Sequence, residues 1–97
     1  MEVELLYWDG CPSYPAALAD LRAALGEHVP VTVREVVSEG QAVAEDFPGS
    51  PTIRVDGHDV DPAGAGSRPA LTCRIYHRPD GRVLPVPTRE QIEEALG

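Results

Sequence analysis

Two cysteines carry most of the chemistry that this chain of 97 residues offers. Cys11 lies in Tyr7-Trp8-Asp9-Gly10-Cys11-Pro12-Ser13-Tyr14-Pro15, where an apolar strand stops and a helix begins. A sulfur at the start of a helix meets unsatisfied N–H groups and the positive end of the helix dipole, both of which favour thiolate over thiol. Asp9 and a formal net charge of −8 oppose that ionisation. The chemistry such a sulfur would perform is nucleophilic attack on a disulfide. Cys73 lies in Leu71-Thr-Cys-Arg-Ile-Tyr76 and shares a strand face with Ile75, the setting of an ordinary core cysteine. The sharper alternative is that the Pro- and Gly-rich stretch Asp61 to Ala70, read as a loop of about ten residues, lets Cys73 approach Cys11 and resolve its mixed disulfide. A disulfide between them needs Cα atoms closer than about 7 Å, which sequence alone does not establish.

Two thiols brought together would also suit a soft cation such as Cu(I) or Hg(II), since thiolates select soft metals. His28, His58 and His77 show no zinc-ligand spacing with either cysteine, so no metal is assigned. Trp8 and Tyr14 flank Cys11 from the strand and helix sides. They either pack, or wall a shallow groove for a partner thiol, with the Tyr14 hydroxyl free to donate to a sulfur or carbonyl. Asp59 and Asp61 read as solvated turn residues, while Arg54 and Arg74 are candidates to pair with the surplus carboxylates.

Those residues must be positioned by one small domain with one core, because a chain of this length buries about two-thirds of its unfolded surface. Sixteen acidic against eight basic residues repel phosphate backbones, which excludes nucleic acid as a natural partner. No apolar run approaches the roughly 18 residues of a membrane span, and Met1-Glu-Val-Glu4 lacks the basic start of a signal peptide. A cytoplasmic location is expected. Two cysteines in that compartment are more often reduced, metal-binding or catalytic than structural.

Glu2-Val-Glu-Leu-Leu-Tyr-Trp8 alternates and then turns wholly apolar, as a central strand does. A helix follows, tolerating Pro12 and Pro15 in its first turn, presenting Ala17, Leu18, Leu21, Ala24 and Leu25 at helical spacing, and stopping at Gly26. Val31 to Val37 is β-branched and alternating, so strand, helix and strand form a parallel βαβ unit. Ser38-Glu-Gly-Gln41 predicts a capping box opening a short helix, which Phe47 anchors to the core. Thr52-Ile-Arg-Val55 is a third strand, and Asp56-Gly57 a hairpin turn into His58-Asp-Val60. Thr72 to Tyr76 reads as a further strand, turned by Arg78-Pro-Asp-Gly-Arg82 toward Val83-Leu84 as a hairpin extending the sheet. Thr88-x-x-Gln91 caps a terminal helix whose buried stripe is Ile92, Ala95 and Leu96.

The order β-α-β-(α)-β-β-α, with a cysteine between first strand and first helix and Gly49-Ser50-Pro51-Thr52 opening the third strand, resembles the thioredoxin-like superfamily, particularly its glutaredoxin-sized members. It looks closest to small bacterial thioredoxin-family proteins carrying Trp-Asp/Glu-Gly-Cys-Pro-Ser and Gly-Ser-Pro-Thr, some of them labelled alkylmercury-lyase-related. The resemblance implies an α/β fold with a central mixed sheet, helices on both faces and, here, an extra C-terminal hairpin. It implies that Pro51 is a cis-proline facing the reactive sulfur, with Ser50 and Thr52 beside it. The departure is that the usual Cys-x-x-Cys is here Cys11-Pro12-Ser13-Tyr14, without a local resolving thiol. The activity implied is a thiol–disulfide oxidoreductase or thiol-transfer protein with Cys11 as nucleophile. Cys73 would resolve it, or glutathione or another small thiol would be the co-substrate. Trp8, Pro12, Ser13, Tyr14, Ser50, Pro51 and Thr52 would contact a disulfide-bearing partner of this monomer or weak dimer. Soft-metal or organomercurial binding, and an inactive protein-binding module, are the alternatives.

Overall fold

Strand β1 (Val3–Tyr7) is an interior strand of a mixed sheet in a computed structural model that describes residues 1–26, 29–66, 68–78 and 80–96. β2 (Val31–Glu35) lies parallel to it on one side, and β3 (Thr52–Val55) antiparallel on the other. β4 (His58–Asp59) closes the order β2-β1-β3-β4. Asp56 and Gly57 both adopt positive φ, 51° and 82°, in the two-residue turn between β3 and β4, which is the conformation an Asp-Gly pair is chosen for. The expected placement of His28 lies outside the described residues, as do Ser67 in the Asp61–Ala70 stretch and Pro79 in the second hairpin turn.

Alternation along β1 divides the core in two. Leu5, with Val3, Ile53 and Val55, packs under Ala17 and Leu21 of α1 (Tyr14–Leu25) and Ile92 of α4 (Arg89–Leu96). Leu6 points the other way, into a smaller cluster with Val36, Ala42 of α2 (Glu39–Ala44) and Phe47. Helices therefore cover both faces of the sheet. The expected stripes are present: Leu18, Ala24 and Leu25 of α1, and Ala95 and Leu96 of α4, are partly buried against the first cluster.

Local signals ended these helices as expected. Gly26 takes φ 81° past the end of α1. The Ser38 side chain accepts from Gln41 N–H, although the Gln41 side chain reaches back one residue further than the standard box, to Val37 N–H. At α4 the box is reciprocal: Gln91 N–H donates to Thr88 Oγ1 at 3.1 Å, and Thr88 N–H donates to Gln91 Oε1 at 2.9 Å. Thr88→Ala is expected to cost about 1 kcal/mol in urea unfolding. An unchanged midpoint would show that packing of Ile92 alone holds the helix.

Three expectations are corrected. α1 starts at Tyr14 with Ser13 at its N-cap, so Pro12, expected in the first turn, precedes the helix, and Cys11 lies two residues ahead of the cap. The stretch Asp61 to Ala70 contains a single helical turn, α3 (Pro62–Ala65). The C-terminal hairpin of β5 (Tyr76–His77) and β6 (Val83–Leu84) forms its own two-stranded sheet and does not extend the first. Among the described residues, the segment before β5 forms one isolated β-bridge to the main body, between Ser50 and Cys73.

An ion-pair network ties one face of the main sheet together. Arg34 of β2 reaches Glu45 at 2.7 Å and Glu4 of β1 at 3.2 Å, and Arg54 of β3 lies 3.9 Å from Glu4. The hydrogen bond from the Arg34 guanidinium holds the Glu45 carboxyl below its ordinary range. A carboxylate whose folded pKa is depressed stabilises the fold above its unfolded value near 4.5, and loses that contribution as pH falls through the lowered folded value. Arg34→Met should therefore reduce stability at neutral pH, and the gap to the wild type should close in acid. Denaturant titrations at several pH values check this; a gap independent of pH would contradict it.

Candidate functional site

The two cysteines meet. Cys11 and Cys73, separated by 62 positions, have Cα atoms 5.5 Å apart and are joined in a disulfide. Neither cysteine is free. Cys11 is set by the turn that leaves β1: its N–H donates to Trp8 C=O at 3.0 Å. Gly10 makes room in this turn, because a side chain there would run into the Trp8 indole. Cys73 is set by the Gly49-Ser50-Pro51 turn. Ser50 N–H donates to Thr72 C=O at 2.7 Å, and Arg74 N–H donates back to Ser50 C=O at 3.0 Å, so the two peptide groups flanking Cys73 are both pinned to Ser50. Gly49, at φ 139°, lies so close to the Arg74 backbone that a Cβ would come within 2.8 Å of Arg74 Cβ.

The two sulfurs belong to unlike surroundings. Cys11 is buried, 2% exposed, with Sγ 3.2 Å from Ser13 Oγ and 3.7 Å from Ser50 C=O. Ser13 occupies the N-cap position of α1, yet its hydroxyl makes no cap bond and faces this sulfur. Cys73 is exposed. The expectation of a core cysteine sharing a face with Ile75 is therefore inverted, for it is Arg74 and Tyr76 that point inward while Cys73 and Ile75 face out.

The inward pair explains the inversion. Arg74 and Asp59 form a buried ion pair at 2.9 Å, with side chains only 4% and 6% exposed. Arg74 also donates to Thr52 Oγ1 at 3.2 Å and stacks over the Tyr76 ring, 4.2 Å to its centroid. Asp59 and Asp61 are thus not the solvated turn residues expected: Asp59 holds the guanidinium and caps Asp61 N–H at 2.8 Å, and Asp61 is 7% exposed. The pairing of Arg54 and Arg74 with carboxylates holds. Tyr76 donates its hydroxyl to Pro51 C=O, and burial pushes that hydroxyl's pKa upward, which keeps it a neutral donor. Tyr76→Phe should leave the Pro51 carbonyl unpaired and cost about 1 kcal/mol or more. Equilibrium unfolding in urea tests it, and a variant as stable as the wild type would show that the bond contributes nothing.

The other residues expected at the site are distributed around it. The Ser50–Pro51 peptide is cis, and both residues are buried. Ser50 Oγ has no hydrogen-bond partner there. Thr52 is also buried, and its hydroxyl donates to Gly49 C=O at 2.6 Å while accepting from Arg74, so it serves the buried network. Pro12 is exposed beside Cys11. Tyr14 stacks on Tyr7, ring centroids 4.0 Å apart, and Trp8 packs against the Leu6 and Phe47 cluster. Arg74 and Asp59 were missed as a pair; the signal was an arginine inside an otherwise alternating apolar strand, two places from a tyrosine.

Among the described residues no group of three or more His, Cys, Asp or Glu side chains could hold a metal ion, and no helix is long and apolar enough to cross a membrane. No family model, no curated protein and no solved structure matches the chain.

Proposed function

We propose that the protein is a thiol–disulfide oxidoreductase of thioredoxin-like type, cycling between the Cys11–Cys73 disulfide and its dithiol. The observation that carries this is the meeting of two cysteines from distant segments, one bonded to the Gly49-Ser50-Pro51 turn through its neighbours and the other at the junction of β1 and α1. The pair supplies the two sulfurs that exchange needs, so Cys73 provides the second thiol that Cys11-Pro12-Ser13-Tyr14 lacks. In the cytoplasmic setting we assign to it, a disulfide serves catalysis or sensing more readily than structure.

In the reducing direction the dithiol becomes a disulfide while a partner disulfide becomes two thiols. Two electrons pass to the partner, and the two protons released from the protein's thiols match those the partner's thiolates take up. Two molecules of a small thiol such as glutathione then restore the dithiol and leave joined as one disulfide. Solvation on one side of the pair and burial on the other let a partner reach one sulfur while the second is held in place.

The test is turnover of a small disulfide by the purified protein with reduced glutathione. Loss of turnover to background is expected when both cysteines are replaced by serine. Unchanged turnover in that double variant, or a disulfide that glutathione opens only as fast as the whole protein unfolds, would leave a cross-link without redox chemistry.

A further inference from the structure

Resting on the oxidoreductase reading, we infer that Cys73, and not Cys11, is the sulfur at which partners enter and leave, and that Cys11 is the internal thiolate that closes the disulfide. A thiolate attacking a disulfide approaches in line with the S–S bond, from behind the sulfur it will bond to. Cys73 is the exposed residue of the pair. Cys11 is covered: it is 2% exposed, with Ser13 Oγ at 3.2 Å and Ser50 C=O at 3.7 Å from its sulfur. A partner thiolate therefore bonds to Cys73 Sγ, the Cys11–Cys73 bond breaks, and its electron pair leaves on Cys11.

Cys11 is equipped as that leaving group. The Ser13 hydroxyl, free of any capping bond, is placed to donate to the sulfur as charge develops on it. In the opposite direction a Cys73 thiolate attacks a partner disulfide and expels the partner's first thiolate. The Cys11 thiolate then attacks Cys73 Sγ, reforms the internal disulfide and releases the second. The pinning of Thr72 C=O and Arg74 N–H to Ser50 keeps Cys73 within reach of Cys11 throughout. Ser13 is a positioning residue in this scheme.

The experiment traps the mixed disulfide. Reduced Cys11→Ser and Cys73→Ser proteins are treated with glutathione disulfide, quenched in acid and mapped by mass spectrometry; cleavage after Arg22, Arg54 and Arg74 leaves the cysteines on separate peptides. The expected result is rapid glutathione addition at Cys73 in Cys11→Ser and little at Cys11 in Cys73→Ser. Because either variant could lose its fold, the reduced wild-type protein is also alkylated natively, with Cys73 expected to react at least about tenfold faster than Cys11. Ser13→Ala should slow the opening of the wild-type disulfide by glutathione about fivefold, the equivalent of one hydrogen bond of about 1 kcal/mol. Faster reaction at Cys11 in the wild type overturns the assignment and leaves the oxidoreductase reading standing. Failure of glutathione to open the wild-type disulfide in the folded protein overturns both.

Discussion

Reducing the Cys11–Cys73 disulfide is expected to lower the stability of the fold by about 4 kcal/mol, since a cross-link closing 62 positions of chain removes that much loop entropy from the unfolded state. For a domain of this size each kcal/mol moves the melting temperature by about 4–8 °C, so the oxidised and reduced proteins should melt roughly 15–30 °C apart. Thermal unfolding with and without a phosphine reductant measures it. The double variant Cys11→Ser, Cys73→Ser should match the reduced protein and be insensitive to reductant. Melting curves that coincide with and without reductant would mean that the pair does not close in solution. A loss of this size also constrains the proposed cycle: the reduced form has to stay folded, and the two hydrophobic clusters on opposite faces of the sheet are what hold it.

Replacing Arg74 by methionine is expected to cost about 3–5 kcal/mol, because Asp59 would be left as a buried carboxylate without its counter-charge. The loss should exceed what the ion pair itself contributes. Taking two charges out of water is expensive, and the pair recovers that cost only through its bond at 2.9 Å, the bond to Thr52 and the stacking on Tyr76. Arg74→Met combined with Asp59→Leu should therefore recover most of the lost stability. A double-mutant cycle in urea gives the coupling directly. If Arg74→Met alone cost under about 1 kcal/mol, as an exposed pair would, the guanidinium would have to be solvated and the inward turn of this segment wrong. The same variant reports on the site, for Arg74 adjoins Cys73 in the chain and its backbone N–H is one of the two bonds that hold Cys73 at Ser50.

Much of the scaffold was legible because its signals are local. The spacing of Ala17 and Leu21, the positive-φ turn Asp56-Gly57 and the cap at Thr88 and Gln91 each depend on residues a few positions apart. Such features express backbone and capping preferences that tertiary packing had no reason to override. The central place of β1 was legible as well, in the continuous apolar run that a strand covered on both faces requires. Cys11 could be marked as a candidate from its junction alone.

Cys73 could not be, for a physical reason. In an alternating segment either set of side chains can face inward, and a slip of one residue exchanges them. Hydrophobicity alone favoured Cys73 and Ile75 inside. The fold put Arg74 and Tyr76 inside, because Asp59 offered a buried carboxylate and Pro51 a carbonyl in need of a donor. Those partners lie 15 and 25 positions away, and only the folded chain brings them close. The same burial of Arg74 turns Cys73 outward and seats it on Ser50 opposite Cys11. By itself, then, the sequence determined the chain order of the main-sheet strands and of helices α1, α2 and α4 with their local stop and cap signals, and the identity of the two sulfurs. Tertiary structure decided that they pair and which of them meets solvent, because that outcome rests on satisfying one arginine with groups far along the chain.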